Sequence, residues 1–283
     1  MKKKIVLLLF LTNFIFGSDP ITIDSLFKKQ LGIRSITTLE YLSSGNADFY
    51  RTYPYINAYN NGKNYTDNRQ LSFRQLFIYS LNENLDITFG GRFSFVSSDY
   101  VANDFSRQTA NHWEFNSLSA GFIYATESFK GFIPQISFDI GALDRMTILN
   151  QRKNFYAKSA SLQFALKNYS DPLISSFYIG GAYNQDLKFD AGKINFGNAV
   201  FAGFNGSIIL SPKISLDLSF QQTYQEASTH NGEKYTQNYS IPTMSLGFTY
   251  SLDDNTAFSI SGTGSGSSSA PSSIFSLSLW KKF

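Results

Sequence analysis

The sequence predicts an all-β chain, a transmembrane antiparallel β-barrel of twelve strands with short periplasmic turns and long extracellular loops. Three observations predict it: side chains alternate at period two in segment after segment, short and long polar breaks alternate along the chain, and the last segment ends on an aromatic residue. The composition agrees. Only 16% of the 283 residues are charged, against about 25% in ordinary soluble domains. Twenty-eight Phe and 17 Tyr nevertheless leave the mean hydropathy slightly negative. Such a chain is apolar without being continuously apolar, and it is far too aromatic to be disordered.

Residues 1–17 read as a removable export signal. Lys2, Lys3 and Lys4 form its positive head, residues 5–16 an apolar run interrupted at Thr12 and Asn13, and Gly17 and Ser18 supply small side chains for cleavage. The run is shorter than the about 20 residues a helix needs to cross a bilayer, and no second run approaches that length. Helical spans are thereby excluded. Without the three leading lysines, the 24 basic residues fall to 21 and match the 21 acidic ones. A nucleic-acid binder would keep a basic surplus to neutralise phosphates. The chain has no cysteine, which excludes disulfides, thiolate nucleophiles and thiolate metal sites.

Residues 18–32 follow as a periplasmic N-terminal segment or plug, and residues 33–283 as the barrel. Strands are expected near 33–43, 70–81, 85–97, 112–126, 131–142, 155–168, 173–183, 198–210, 214–224, 239–252, 256–261 and 273–283. The third shows the alternation most clearly: Leu85, Ile87, Phe89, Phe93 and Phe95 take the odd positions, Asp86, Thr88, Arg92 and Ser94 the even ones. The fifth puts Phe132, Ile136, Phe138 and Ile140 against Gln135, Ser137 and Asp139; the sixth puts Leu162, Phe164 and Leu166 against Ser161, Gln163 and Lys167. In the ninth, Ile214, Leu216, Leu218 and Phe220 alternate with Ser215, Asp217 and Ser219. Small polar side chains on the second face suit a wet lumen; a sandwich core would want apolar ones there.

Short breaks fall at 82–84, 127–130, 169–172, 211–213 and 253–255. Longer polar stretches fall at 43–69, 98–111, 143–154, 184–197, 224–238 and 262–272. An even strand count with short turns at one end and long loops at the other is the outer-membrane pattern. The break at 79–84 (Tyr-Ser-Leu-Asn-Glu-Asn) returns at 250–255 as Tyr-Ser-Leu-Asp-Asp-Asn, repeating good hairpin chemistry with Tyr at an interfacial belt.

By the alternation, the inward-facing, pore-lining charges are Arg34, Glu40, Arg74, Arg92, Asp139, Lys167 and Asp217. Between them come small residues such as Gly90, Ser94, Ser137, Gly141, Ser161, Gly180 and Gly247. A lumen carrying both signs would pass small polar solutes without strong charge selection; a plugged interior that uses the charges only for stability stays open as an alternative. The function expected is a channel or transporter for passive diffusion of small solutes. A non-conducting surface barrel acting through its long loops, for adhesion or structure, is the alternative. A lipid-modifying enzyme comes third, because neither His112 nor His230 has a serine two places on, and both histidines fall at or in long polar stretches, where such a residue is solvated. No cofactor is expected, and no His, Asp and Glu cluster has metal-ligand spacing. Tyr50, Tyr53, Tyr55, Tyr59 and Tyr65 crowd the first loop as an extended aromatic hairpin, and 262–271 is a flexible Gly/Ser loop without the lysine of a phosphate loop.

Phe275, Leu277, Leu279, Lys281 and Phe283 share one face of the last strand. Here the chain resembles bacterial outer-membrane barrels in general, whose final strand ends on an aromatic residue that the insertion machinery reads. Phe275, Leu277, Leu279 and Phe283 would be that signal, and Lys281 departs from the pattern. The turn 79–87 and the closing segment 245–283 resemble the outer-membrane proteins called "MetA-pathway of phenol degradation", a group of barrel transporters. That resemblance implies passive movement of small molecules across the outer membrane of a Gram-negative bacterium, with membrane lipid, the insertion machinery and a small solute as partners. It assigns no role to an individual residue.

Overall fold

In hydrocarbon every backbone N–H and C=O must find a partner within the protein, so a sheet that spans a membrane has to close on itself. The computed structural model describes residues 31–44, 64–101, 106–148, 151–190, 192–234, 236–266 and 272–283, and among them the chain is all strand and turn. The export signal at 1–17, nearly all of 18–32, the first-loop residues Tyr50, Tyr53, Tyr55 and Tyr59, and 267–271 lie outside the described residues.

The strands are β1 (Gly32–Ser44), β2 (Asn64–Ser80), β3 (Leu85–Val101), β4 (Arg107–Ala125), β5 (Phe132–Ile148), β6 (Gln151–Phe155), β7 (Ser159–Ser170), β8 (Leu173–Asn184), β9 (Leu187–Phe189), β10 (Gly192–Asn195), β11 (Ala199–Ser211), β12 (Ile214–Gln225), β13 (Thr229–His230), β14 (Glu233–Lys234), β15 (Tyr239–Asp253), β16 (Thr256–Ser265) and β17 (Ser272–Lys282). Twelve of them form the wall, in the order β1, β2, β3, β4, β5, β7, β8, β11, β12, β15, β16, β17, each antiparallel to the next. The last closes on the first, with Arg34 opposite Lys282, Leu39 opposite Leu277 and Tyr41 opposite Phe275. These are the twelve strands the alternation predicts, in a closed outer-membrane barrel.

The outer face is what the lipid requires. Phe89, Phe93, Phe177, Ile179, Leu246 and Phe248 point away from the lumen and stay 39–61% exposed. Their contact with lipid in place of water contributes about 25 cal/mol per Å². The terminal strand does the same: Phe275, Leu279 and Phe283 lie on the outer surface at 46%, 40% and 69% exposure. Leu277 shares their parity, and the Lys281 ammonium sits 5.2 Å from the Phe283 ring, an attractive cation–π arrangement.

At the short-turn end, local chemistry sets each hairpin. The Asn82 carboxamide oxygen accepts from the backbone N–H of Asn84 (2.8 Å) and Leu85 (2.9 Å), and the Asp253 carboxylate from that of Asn255 (2.8 Å), so the two repeated breaks use one turn device. Gly32 and Phe283 lie side by side at this end.

The long-loop end differs from the expectation in a consistent way. The polar stretches at 98–111 and 143–154 are largely strand: β3 and β4 pair from Val101 and Arg107 downward, and β5 runs on to Ile148 to pair with β6. Polar side chains on the outer face above the membrane cost nothing, so the hairpins continue where the apolar alternation stops. The predicted sixth strand, 155–168, is divided between the end of β6 and the wall strand β7. Two further stretches, 184–197 and 224–238, fold as β9–β10 and β13–β14 and join in a separate four-stranded sheet. Phe155, Leu187, Phe189 and Phe196 give this cap a small core of its own, with Met146 and Ile194 packed against it.

Two bulges change the phase of neighbouring strands. On β4, Arg92 pairs with Ser117 but Phe93 with Phe115, so Asn116 is extra; on β5, Ser119 pairs with Gly141 but Leu118 with Leu143, so Ala142 is extra. Each bulge swaps the inner and outer sets for the rest of the strand. Trp113 and Phe115 therefore face outward above the bulge, and Leu118, Phe122 and Tyr124 below it.

Candidate pore lumen

Two chambers of the lumen are lined by the described residues. Toward the long-loop end, a narrow one of 170 Å³ is lined by Arg74, Arg92, Asp139 and Asp144, by small residues such as Gly90, Ser119, Gly141 and Ser161, and by Phe196 and Gln225 at the cap. Toward the short turns lies a vestibule of 950 Å³, lined among others by Arg34, Asp86, Lys167, Asp217, Thr249 and Trp280. Of the seven charges read as inward, Arg74, Arg92 and Asp139 border the narrow chamber and Arg34, Lys167 and Asp217 the vestibule. Glu40 meets the lumen wall through its pair with Arg92.

Two ion pairs share one geometry. Arg92 Nη2 donates to Glu40 Oε2 at 2.6 Å, and Arg34 Nη2 to Asp86 Oδ2 at 2.8 Å. Both run from β1 diagonally across the inner face of β2 to β3, where a serine of β2 takes a second bond: Ser72 from Arg92 (3.3 Å) and Ser80 from Arg34 (3.2 Å). The pairs differ in cover. Arg92 and Glu40 are 7% and 16% exposed, whereas Arg34 opens to the vestibule at 21% over an Asp86 at 5%. Burial this deep is tolerated only because each charge finds its partner.

The other inward carboxylates are held by hydroxyls. Asp217 accepts from Thr249 (2.6 Å) and Ser215 (3.1 Å), and Asp144 from Ser159 (3.0 Å). Ser119 hydrogen-bonds Asp139. The glycine at 141 makes room for this: a Cβ there would fall 2.6 Å from Asp144 Oδ2 and collide with the Ser159 hydroxyl. On the opposite wall the Tyr178 hydroxyl donates to Gln221 (3.0 Å), and the Trp280 N–H to Ser259 (3.1 Å).

The cap reaches the narrow chamber through Phe196. Its backbone carbonyl accepts from the fully buried Gln225 amide at 2.9 Å, and the Gly197 carbonyl accepts from the same nitrogen at 3.1 Å. Gly197 takes φ +77°, and a Cβ would fall 2.5 Å from the Glu226 carbonyl oxygen, so this turn belongs to glycine.

Several lumen residues escape a fixed alternation. Asp144 and Glu114 lie beyond the bulges, and a constant phase would point both outward. Glu114 is instead fully buried inside, with His112 Nε2 3.7 Å from its carboxylate. His112 is thus an inner-wall residue of β4 and not the solvated loop residue expected. The sequence does carry the signal: Trp113 and Phe115 are out of phase with Phe122 and Tyr124 on one strand. Asp86 sits on the polar face that the alternation defines and belongs with the seven, since Arg34 depends on it. His230 pairs in the cap, opposite Glu233 and Ile194.

The architecture is similar to that of solved outer-membrane barrels. An outer-membrane channel from Pseudomonas putida F1 superposes with a TM-score of 0.58 at 12% identity, covering 95% of this chain and 100% of that one. The NanC porin gives 0.54 at 6% identity over 88% of this chain and 100% of its own. The transport unit of the autotransporter AIDA-I from Escherichia coli gives 0.52 at 10% identity over 97% of both. At these identities the likeness is one of fold. No protein-family model matches the sequence, and no curated protein matches it either.

Proposed function

We propose that this chain is an outer-membrane channel through which small polar solutes diffuse passively, filtered by the charged lumen. The observation that carries the reading is the pair of chambers inside the barrel, 170 Å³ and 950 Å³, lined by both signs of charge and by small side chains. Small residues leave space, and paired charges hold water and solute without trapping either sign. Arg34, Glu40, Arg74, Arg92, Asp139, Lys167 and Asp217 line the path. Similarity in fold to a P. putida channel and to a porin supports a conducting role, as does the resemblance of 79–87 and 245–283 to barrel transporters. Residues 1–17 direct export and are removed, residues 18–32 form a periplasmic segment or plug, and Phe275, Leu277, Leu279 and Phe283 present the insertion signal. No catalytic step is part of this function.

The test is a reversal-potential measurement in a planar bilayer under a salt gradient, with the refolded mature protein and its Asp139→Asn variant. A channel filtered here shifts toward anion preference when that carboxylate is neutralised; an unchanged reversal potential would remove Asp139 from the path. The non-conducting surface barrel has one observation in its favour, the folded cap with its own apolar core at the long-loop end. It predicts a folded protein that carries no current.

A further inference from the structure

We propose that the narrow chamber is a filter for small zwitterions, with an α-amino acid of the size of alanine as the solute class that fits it. This rests on the channel reading above. The chamber is the smaller of the two described volumes, 170 Å³ against 950 Å³, and the channel reading makes it the place where solutes are selected. At 170 Å³ it has room for a small amino acid such as alanine.

Its lining charges are segregated, and one of them, Arg92, is already paired with Glu40. The carboxylates Asp139 and Asp144 both stand on β5, and the guanidiniums Arg74 and Arg92 on β2 and β3. Between them, on β4, the lining is uncharged: Ser117 and Ser119. In the strand register Arg74 pairs with Arg92, Arg92 with Ser117 and Ser117 with Asp144. The field therefore runs along this arc of the wall from base to acid, and a simple ion drawn to one end is repelled by the other. A solute that carries an ammonium and a carboxylate a few ångströms apart meets both ends favourably at once. An anion or a cation of the same size meets one end and is opposed by the other.

The groups that make the field are fixed in place. Ser159 holds Asp144 at 3.0 Å, Ser119 holds Asp139, and Glu40 holds Arg92 at 2.6 Å. The bulge at Ala142 matters here, because it turns Asp144 inward beside Asp139 and builds an acidic wall where constant alternation would leave one carboxylate. Gly141 keeps that wall open, since any side chain there would displace Asp144 and Ser159.

The experiment uses the full mature protein refolded into liposomes, with folding checked by a heat-shifted gel band. Swelling is followed in isosmotic alanine and in isosmotic lactamide, a neutral molecule with the same number of non-hydrogen atoms, against protein-free liposomes. Potassium chloride conductance is recorded on the same preparation. The expected result is alanine entry faster than lactamide entry by about tenfold. Asp139→Asn and Arg74→Gln should each bring alanine down toward the lactamide rate while ionic steps persist. Equal rates in the wild type, with ionic steps present, overturn the zwitterion filter and leave the channel standing. A preference that survives both variants overturns its assignment to this chamber. A folded barrel with neither steps nor swelling overturns the channel reading and this inference together. The wild-type comparison needs no substitution, so a variant that fails to fold cannot shield the proposal.

Discussion

The two halves of the lumen are built with one device and reach different results. In each, a side chain on β1 crosses β2 to an opposite charge on β3 fifty-two positions later, Glu40 to Arg92 near the long loops and Arg34 to Asp86 near the short turns. The sign is reversed and the register repeated. The upper pair nevertheless borders a chamber of 170 Å³ and the lower one a vestibule of 950 Å³. Strand register fixes where the charges stand. The bulges on β4 and β5 and the cap that delivers Phe196 then decide how much room is left around them.

Bulk placed in each half should break the comparison most visibly. Ser161→Trp in the narrow chamber is expected to remove most of the single-channel conductance, and Ser261→Trp in the vestibule to leave most of it. Equal losses would show that the narrow chamber does not limit flow.

Next in size is the loss of a paired charge. Arg92→Met leaves Glu40 charged under heavy cover and should destabilise the barrel by about 3 kcal/mol. Asp86 is the more covered carboxylate, 5% exposed against 16% for Glu40. Arg34→Met, however, removes the guanidinium that lies over it and admits vestibule water, so the cost should be less, about 1–2 kcal/mol, between the buried and exposed limits. Urea midpoints of the refolded proteins in lipid compare the two, and equal costs would mean that the halves are equally dry.

The cap is a smaller lever. Gln225→Leu strands the Phe196 and Gly197 carbonyls and should cost about 1–2 kcal/mol. If Phe196 narrows the upper chamber, the same variant raises conductance; stability lost with conductance unchanged would make the cap a bystander to flow.

Least of all is expected from the outer face above the membrane. The apolar outer side chains end at Leu71, Phe95 and Trp113, and Asp99 lies beyond them. There the Thr109 hydroxyl at 2.6 Å, and then the Arg69 guanidinium at 2.7 Å, hold its carboxyl below the ordinary 3.8. A depressed pKa contributes stability above the ordinary value and loses it as pH falls through the lower, folded one. Asp99 lies at the surface with its side chain 30% exposed and its partner Arg69 46% exposed, so solvent screens the pair and Asp99→Asn should leave the pH 7 unfolding midpoint unchanged. A clear shift would give this surface pair a weight that solvent screening normally denies.

What the sequence revealed follows the same division. Lipid selects apolar side chains, with the outward Thr37 and Gln75 bonded to each other at 2.7 Å, so Phe89, Phe93, Leu162, Leu218 and Phe220 mark their strands plainly, and all twelve wall strands are legible. The short turns are legible too, because Asn82 and Asp253 act within their own hairpins. Above the membrane both constraints relax. The continuation of β3 and β4 past residue 97 and the joining of β9–β10 to β13–β14 depend on partners distant in sequence. The lumen was readable wherever the phase was constant, as for Arg34, Arg92 and Asp217. It was misread where a bulge inverted the phase, which is why Glu114 and Asp144 were missed although Trp113 and Phe122 stand out of step.

The central claim is that a continuous, charge-lined path crosses this barrel. Single-channel recording of the refolded mature protein in a planar bilayer, after a heat-shifted band establishes folding, tests it most directly. Discrete current steps whose size falls with Ser161→Trp are the result predicted. A folded barrel that stays silent across voltages would contradict it.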